Sequence, residues 1–239
     1  MTILEILFLI VVFISNIVQG ITGFAGTVIA MPFSINLVGI SVARPILNLV
    51  AIVISLLVVI FNFKSINFKK LLLLVLFVGV GFGLGYLIHF LKFNGETLLT
   101  VYGIIIVIIA LIYLFIGVDP NKIPKWIYPI LLILAGIMHF LFVSGGPLVV
   151  IFAMSVIKDK NEFRATLSMM WVILNSIILG TNIIEGSFTP HILLLSGIAV
   201  ATSLLSLIIA KLLLKKINTE VFMKIAYILL LISGLVAIF

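Results

Sequence analysis

The chain contains no cysteine and few charges: of its 239 residues, seven are acidic and 14 basic, 9% charged in all. Without thiols there are no disulfides, thiolate metal sites or thioether-linked haem. Glu5, Glu96, Asp119, Asp159, Glu162, Glu185 and Glu220 all fall at or near the ends of apolar segments. No carboxylate proton relay is therefore expected through a span centre, nor a divalent metal held by oxygen ligands. No cofactor is expected either. Gly-x-Ser-x-Gly, His-Glu-x-x-His and Gly-x-Gly-Asp are all missing, so the chain lacks the nucleophile–base or carboxylate pairs of an intramembrane enzyme and is not read as one.

What is present is hydrocarbon. Hydrophobic residues make up 64% of the chain, and the mean hydropathy is +1.52. Runs near 20 residues with few charges read as transmembrane helices. Apolar segments fall at 3–18, 24–38, 45–62, 71–90 and 97–117, then at 126–142, 147–157, 165–184, 190–210 and 221–239. The start, Met1-Thr2-Ile3-Leu4-Glu5, has no basic region and reads as a retained first segment and not a cleaved signal. Between the two sets lies Asp119-Pro120-Asn121-Lys122-Ile123-Pro124-Lys125, a polar stretch with two prolines that reads as a linker. The expected division is a first transmembrane repeat at 1–118, a cytoplasmic linker at 119–125 and a second repeat at 126–239. The net charge of +7 would suggest nucleic acid on a soluble chain. Here the lysines sit in short loops, where membrane orientation explains them, and no nucleic-acid partner is expected.

The two halves align. Arg44, Asn48 and Ser55 fall opposite Arg164, Ser168 and Asn175 at one fixed offset, and Lys92-Phe93-Asn94-Gly95-Glu96 falls opposite Lys216-Ile217-Asn218-Thr219-Glu220. In both of the latter, Asn is placed to cap the next helix, with Glu in its first turn. A glycine-broken apolar hairpin also occurs in each half. One reads Gln19-Gly20-Ile21-Thr22-Gly23-Phe24-Ala25-Gly26, running on to Pro32. The other reads Gly136-Ile137-Met138-His139-Phe140, then Val143-Ser144-Gly145-Gly146-Pro147. Each break is expected between two stretches too short for full spans. Backbone that leaves a helix in lipid needs protein or a water-lined cavity around it, and paired breaks in two halves point to a transporter's binding site. The fold expected is an all-α integral membrane protein of two inverted repeats, each a broken hairpin plus three transmembrane helices. If each hairpin enters and leaves on one side, every basic residue except Arg44 and Lys92 lies on the cytoplasmic side, as the positive-inside rule favours. Both termini then lie outside the cytoplasm.

In such a pair the hairpin tips meet near the midplane, and the helices that start at Gly26 and Gly146 point their N–H groups inward from opposite sides. Such ends bind anions without a buried cation. Gln19, Thr22, Gly23, Gly26, Thr27, His139, Ser144, Gly145 and Gly146 are the candidate contacts, with Asn16 as a further polar neighbour. Asn48 and Asn175 are placed along the pathway with Ser55 and Ser168, against interhelical hydrogen bonding as the plain alternative. Arg44 and Arg164 are read as anion-attracting residues at the two mouths, against ordinary interfacial arginines. A neutral packed histidine is the alternative for His139. His89 and His191 read as interfacial, Trp126 and Tyr128 as interface anchors, and Gly79, Gly81, Gly83 and Gly85 as either packing or pathway glycines.

These motifs resemble a known family. Gln19-Gly20-Ile21-Thr22-Gly23-Phe24 leading to Ala30-Met31-Pro32 resembles the first signature of the TauE/SafE sulfite exporters. Gly136 leading to Ser144-Gly145-Gly146-Pro147-Leu148 is similar to the second, and Phe163-Arg164-Ala165 to the helix start that follows. Ala25 and Thr27-Val28 stand where many members carry more glycine, and His139 lies in the second tip region. The resemblance implies transport, more often export, of sulfite, organosulfonates or related sulfur anions across a prokaryotic cell membrane. The partners implied are a small anionic substrate and the lipid bilayer, with a homodimer left open. A passive anion channel and an uptake carrier for carboxylates or sulfur compounds are the alternatives.

Overall fold

The computed structural model describes residues 1–239 except Gly23, Phe93, Val118, Pro120, Asn121 and 215–218; the side chains of 21–22, 160, 214, 219–223 and 226 are also left undescribed. The described residues form ten α-helices and no strand: α1 (Ile3–Thr22), α2 (Gly26–Val38), α3 (Ile40–Asn62), α4 (Phe68–Phe90), α5 (Gly95–Leu111), α6 (Ile127–Phe142), α7 (Gly146–Val156), α8 (Lys160–Ile184), α9 (Pro190–Leu214) and α10 (Thr219–Ile238). A π turn, Ile112–Ile116, continues α5. The helices match the ten apolar segments in order. Among the described residues, those long and apolar enough to cross a membrane are α1, α3, α4, α5, α8 and α9.

Local chemistry sets the helix starts. Asn67 Oδ1 caps α4 by accepting from Lys70 N, and Asn94 Oδ1 caps α5 by accepting from Glu96 N at 2.9 Å. The matching cap expected from Asn218 lies outside the described residues. Asp159 Oδ1 accepts from Glu162 N at 2.8 Å, starting α8 at Lys160. This cap places Arg164 within a helix, whereas its position before the apolar segment at 165–184, beside Asp159 and Glu162, reads as a loop.

The hairpin arms are unequal. Both arms of each break were expected to be short, yet α1 has 20 residues and is long enough to span. The other three arms, α2 with 13 residues, α6 with 16 and α7 with 11, are short of a full span, as expected. No breaker interrupts Ile3–Thr22, because Gly20 is absorbed at a close helix crossing. A methyl group there would lie 2.6 Å from Ala210 Cβ on α9. In α2, Pro32 cannot donate to Val28 O. That freed carbonyl instead accepts from the Ser233 hydroxyl at 3.1 Å and the Tyr102 hydroxyl at 3.4 Å.

Packing joins the halves instead of separating them. Extensive contacts pair α4 with α6, α9 with α1, α3 with α8, and α5 with α10. Exchanging the halves in order maps this set of pairings onto itself. The α4–α6 crossing is backbone on backbone: a Cβ at Gly81 would collide with Ile133 O, and one at Gly136 with Val78 O. Gly85 also packs on α6, while Gly79 and Gly83 meet nothing. The α5–α10 crossing is similar, with Gly103 against Gly234 O.

Polar ties gather at the two ends of the bundle. At one end Glu5 Oε1 lies 2.7 Å from His191 Nε2, and Glu185 Oε1 lies 3.3 Å from His89 Nε2. A cavity at that end joins Ile40, Arg44, His89, Gly95 and Glu185. At the other end Lys70 Nζ lies 2.7 Å from Glu162 Oε1, and Asn67 N donates to Thr166 Oγ1. Leu73, Lys125, Tyr128, Ser155 and Val156 line a cavity elsewhere, bringing together both outer ends of the α6–α7 hairpin. Trp126 is exposed, as an anchor would be. Tyr128 instead packs inside, with its ring 5.1 Å from that of Phe152.

Candidate functional site

The two breaks meet. Ser144 Oγ lies 3.2 Å from Thr27 O, and a methyl group at Gly146 would sit 2.7 Å from Phe24 O. Around this meeting point a small cavity of about 20 Å³ is lined by Asn16, Gln19, Phe24, Thr27, Ala51, Ile54, Ser55, His139, Val143, Gly146, Trp171 and Asn175. Ala51 and Ser55 come from the middle of α3, and Trp171 and Asn175 from the middle of α8. The cavity therefore lies at mid-length of the crossing helices, walled by both hairpins.

The second break is built by an αL stop. Val143 has φ 55° and ψ 30°, and its N–H donates to His139 O at 2.7 Å. Such a conformation is uncommon for a β-branched residue and costs free energy. Ser144 Oγ then donates to Phe142 O at 2.7 Å, with Thr27 O as its second acceptor. Its hydroxyl thus stitches backbone to backbone and is not among the groups lining the cavity. Gly145 is also absent from the lining; a Cβ there would strike Ala135 O on α6. Gly146 opens α7, with Pro147 in the first turn and no side-chain cap on this helix end. The first-turn N–H groups of a helix have no intrahelical acceptor.

The first break is closed differently. Gly26 N, opening α2, donates to Gln19 Oε1 at 2.8 Å, seven residues upstream on α1. Thr27 lines the cavity beside it. The expected contact at Gly23 lies outside the described residues, as does the Thr22 side chain, although Thr22 itself ends α1.

Buried polar atoms without partners concentrate nearby. His139 is 3% exposed, and neither ring nitrogen makes a hydrogen bond of ordinary geometry, with the Asn175 side chain as its polar neighbour. Its ring centroid lies 4.6 Å from that of Trp171. Asn175 Oδ1 makes no such bond either. Asn48 donates through Nδ2 to Asn175 O at 3.2 Å, leaving its own Oδ1 without a partner, and it is not among the residues lining the cavity. An unmatched buried polar atom costs about 1–3 kcal/mol, so this cluster is kept against stability.

The two arginines separate sharply. Arg44 is only 7% exposed; Nη1 donates to Asn182 Oδ1 at 3.1 Å and Nη2 to Phe140 O at 3.2 Å. Glu185 lies 3.9 Å away, and the guanidinium sits 5.1 Å from the Phe140 ring centroid. Arg44 lines a cavity of about 420 Å³ with His89, Lys92 and Asn182. Arg164 is exposed and lines neither cavity. Sequence reasoning did not identify Trp171 or Arg44's partners Asn182 and Glu185. A signal for Asn182 did exist, since it falls opposite Asn62 at the same offset as the arginines.

A helix N-terminus without a side-chain cap, a second one held by an amide, and neutral polar walls suit a small anion better than a cation or a reacting bond. Comparison with curated proteins and with solved structures gives no match. The sulfite exporter TauE/SafE family profile matches residues 7–237, nearly the whole chain. The chain belongs to the TauE/SafE sulfite exporter family, a family of membrane transporters for sulfur-containing anions.

Proposed function

We propose that this protein exports sulfite, an organosulfonate or a related small sulfur anion by alternating access to one site where the hairpin tips meet. The observation that carries the reading is the cavity shared by both breaks, with Gly146, Thr27 and Gln19 at its wall and Gly26 capped behind Gln19. Gln19, Thr22, Gly23, Gly26, Thr27, His139, Gly146 and Asn175 are assigned to the substrate. Ser144, Gly145 and Asn48 hold the tips and the α3–α8 crossing in place. Arg44 draws anions into the outer mouth; Arg164, at the surface, contributes at the inner one.

The repeats are inverted in this reading. It is supported by the exchange of helix pairings between halves and by the hairpin ends, which gather with different partners. The membrane is the prokaryotic cell membrane and both termini lie outside the cytoplasm, in keeping with the lysine distribution. Lys122→Cys in the linker should react with an impermeant maleimide only from the cytoplasmic side. The glycine crossings between α4 and α6 leave no slack, so the sequence halves do not separate as units. The rocking bodies are instead each hairpin with the opposite half's fourth helix: α1–α2 with α9, and α6–α7 with α4.

Purified protein in proteoliposomes should give saturable flux, with exchange against trans anion, for a subset of sulfite, sulfoacetate, sulfate, thiosulfate and small carboxylates. Unsaturated conductance would instead establish a channel. Gly146→Leu drives a side chain against Phe24 at the cavity wall and should abolish flux in an inserted, monodisperse protein. Wild-type flux in that variant overturns the site.

A further inference from the structure

Gln19 and His139 stand at the same offset that relates Gly26 to Gly146, and both line the shared cavity. Their situations differ. Gln19 Oε1 accepts from Gly26 N at 2.8 Å. His139, almost fully buried, has two ring nitrogens that make no hydrogen bond of ordinary geometry, and Asn175 Oδ1 on the same wall makes none either.

The Gln19 contact is not an ordinary cap. Caps come from the N-cap residue or its third successor, but the N-cap here is Ala25, which has no side-chain acceptor. The acceptor comes from the preceding helix, across the break. An amide oxygen carries partial negative charge, and at a helix N-terminus it occupies the place an anion's oxygen would take. The cavity of about 20 Å³ has room for roughly one water, too little for an anion of four or more heavy atoms. Something must withdraw on entry. Among the polar groups in the lining, Gln19 has the longest and most flexible side chain, whereas Gly146 presents backbone and Gly26 lies behind Gln19, outside the lining.

Building on the anion site proposed above, we infer that Gln19 is a tethered competitor of the substrate. Its carbonyl holds the α2 N-terminus while the cavity is closed. A sulfite or sulfonate oxygen then takes over the Gly26 N–H, and the released amide turns its NH2 toward the same anion. His139, at the matching position, donates an N–H from the α7 side. The helix end is thus never left without an acceptor, and only a ligand that replaces an oxygen acceptor opens the site.

The test is Gln19→Glu, measured by calorimetric titration of the purified full-length protein with sulfite. The variant keeps the size and the capping oxygen, and its charge suits a helix N-terminus, so its melting temperature should equal or exceed that of wild type. A cap that stands apart from the anion predicts unchanged sulfite affinity. A tethered competitor becomes a fixed anion in the anion's place, so affinity at pH 8 should fall by about 30-fold or more. That loss should recover as the glutamate is protonated on acidification. The ratio of variant to wild type at each pH cancels the titration of sulfite itself. Wild-type affinity at pH 8, or a loss that does not respond to pH, overturns the inference. If wild type itself binds no sulfite, the anion site fails and this inference with it; if wild type binds and the variant is indifferent, this inference alone fails.

Discussion

The two hairpins do the same job with different parts. At the first tip the helix end at Gly26 is capped by Gln19; at the second, the end at Gly146 has no side-chain cap and the matching His139 makes no hydrogen bond of ordinary geometry. At the position opposite Gly23 the second hairpin uses Val143 in the αL region, and opposite Ala25 it uses Gly145. The two matching segments therefore differ where they touch the cavity and agree where they build helices: α2 and α7 begin at matching residues, as do α3 and α8. The capped tip is the self-satisfied one, and the second tip retains unmatched polar capacity. A transporter that must release its cargo benefits from that imbalance, because two uncapped helix ends would hold an anion too firmly.

Breaking the comparison at its steric point should have the largest effect. Gly145→Ala forces a Cβ against the backbone of α6 and should cost about 3 kcal/mol, whereas Ala25→Gly at the matching place should cost only a few tenths. Thermal unfolding of the two variants in detergent measures the difference. The mouths come next. Arg44→Ala strips partners from Asn182 Oδ1 and Phe140 O; it should cost about 2 kcal/mol and lower anion flux roughly tenfold. Arg164→Ala, at an exposed site, should change flux by less than about twofold. Equal effects of the two would erase the distinction between buried and surface arginine. The smallest effect sharpens the comparison: Val143→Gly gives the second hairpin the residue of the first. Relief of the αL strain, about 1 kcal/mol, falls short of the roughly 2 kcal/mol lost with a buried valine side chain, so the melting temperature should fall slightly.

Much of the architecture was legible in the chain. Hydropathy gave ten segments, and ten helices follow them, because hydrocarbon leaves a backbone few other choices. Glycine pairs marked both breaks, and Asn94 announced its cap. The length of α1 was misjudged, since Gly20 looks like a breaker in sequence and is a packing residue beneath α9. Arg164 looked like a loop residue because the cap at Asp159 starts α8 earlier than its hydrophobic run does. Tyr128 looked like an anchor but faces Phe152. Within the candidate site, the glycines and polar residues were visible from the repeat, whereas their division of labour was not. Ser144 turned to carbonyls where the tips meet, and Arg44 found Asn182 across the α3–α8 crossing, contacts that no local pattern encodes.

The central claim is that residues far apart in sequence meet at one transport site, and a cysteine pair tests it without background in a chain that has no thiol. Thr27→Cys with Ser144→Cys puts one thiol on each tip, where the Ser144 side chain meets the Thr27 carbonyl. Mild oxidation should form an intramolecular disulfide in high yield and stop sulfite flux, and reduction should restore it. If both thiols label freely yet never cross-link, or if the cross-linked protein transports at the wild-type rate, the account is contradicted.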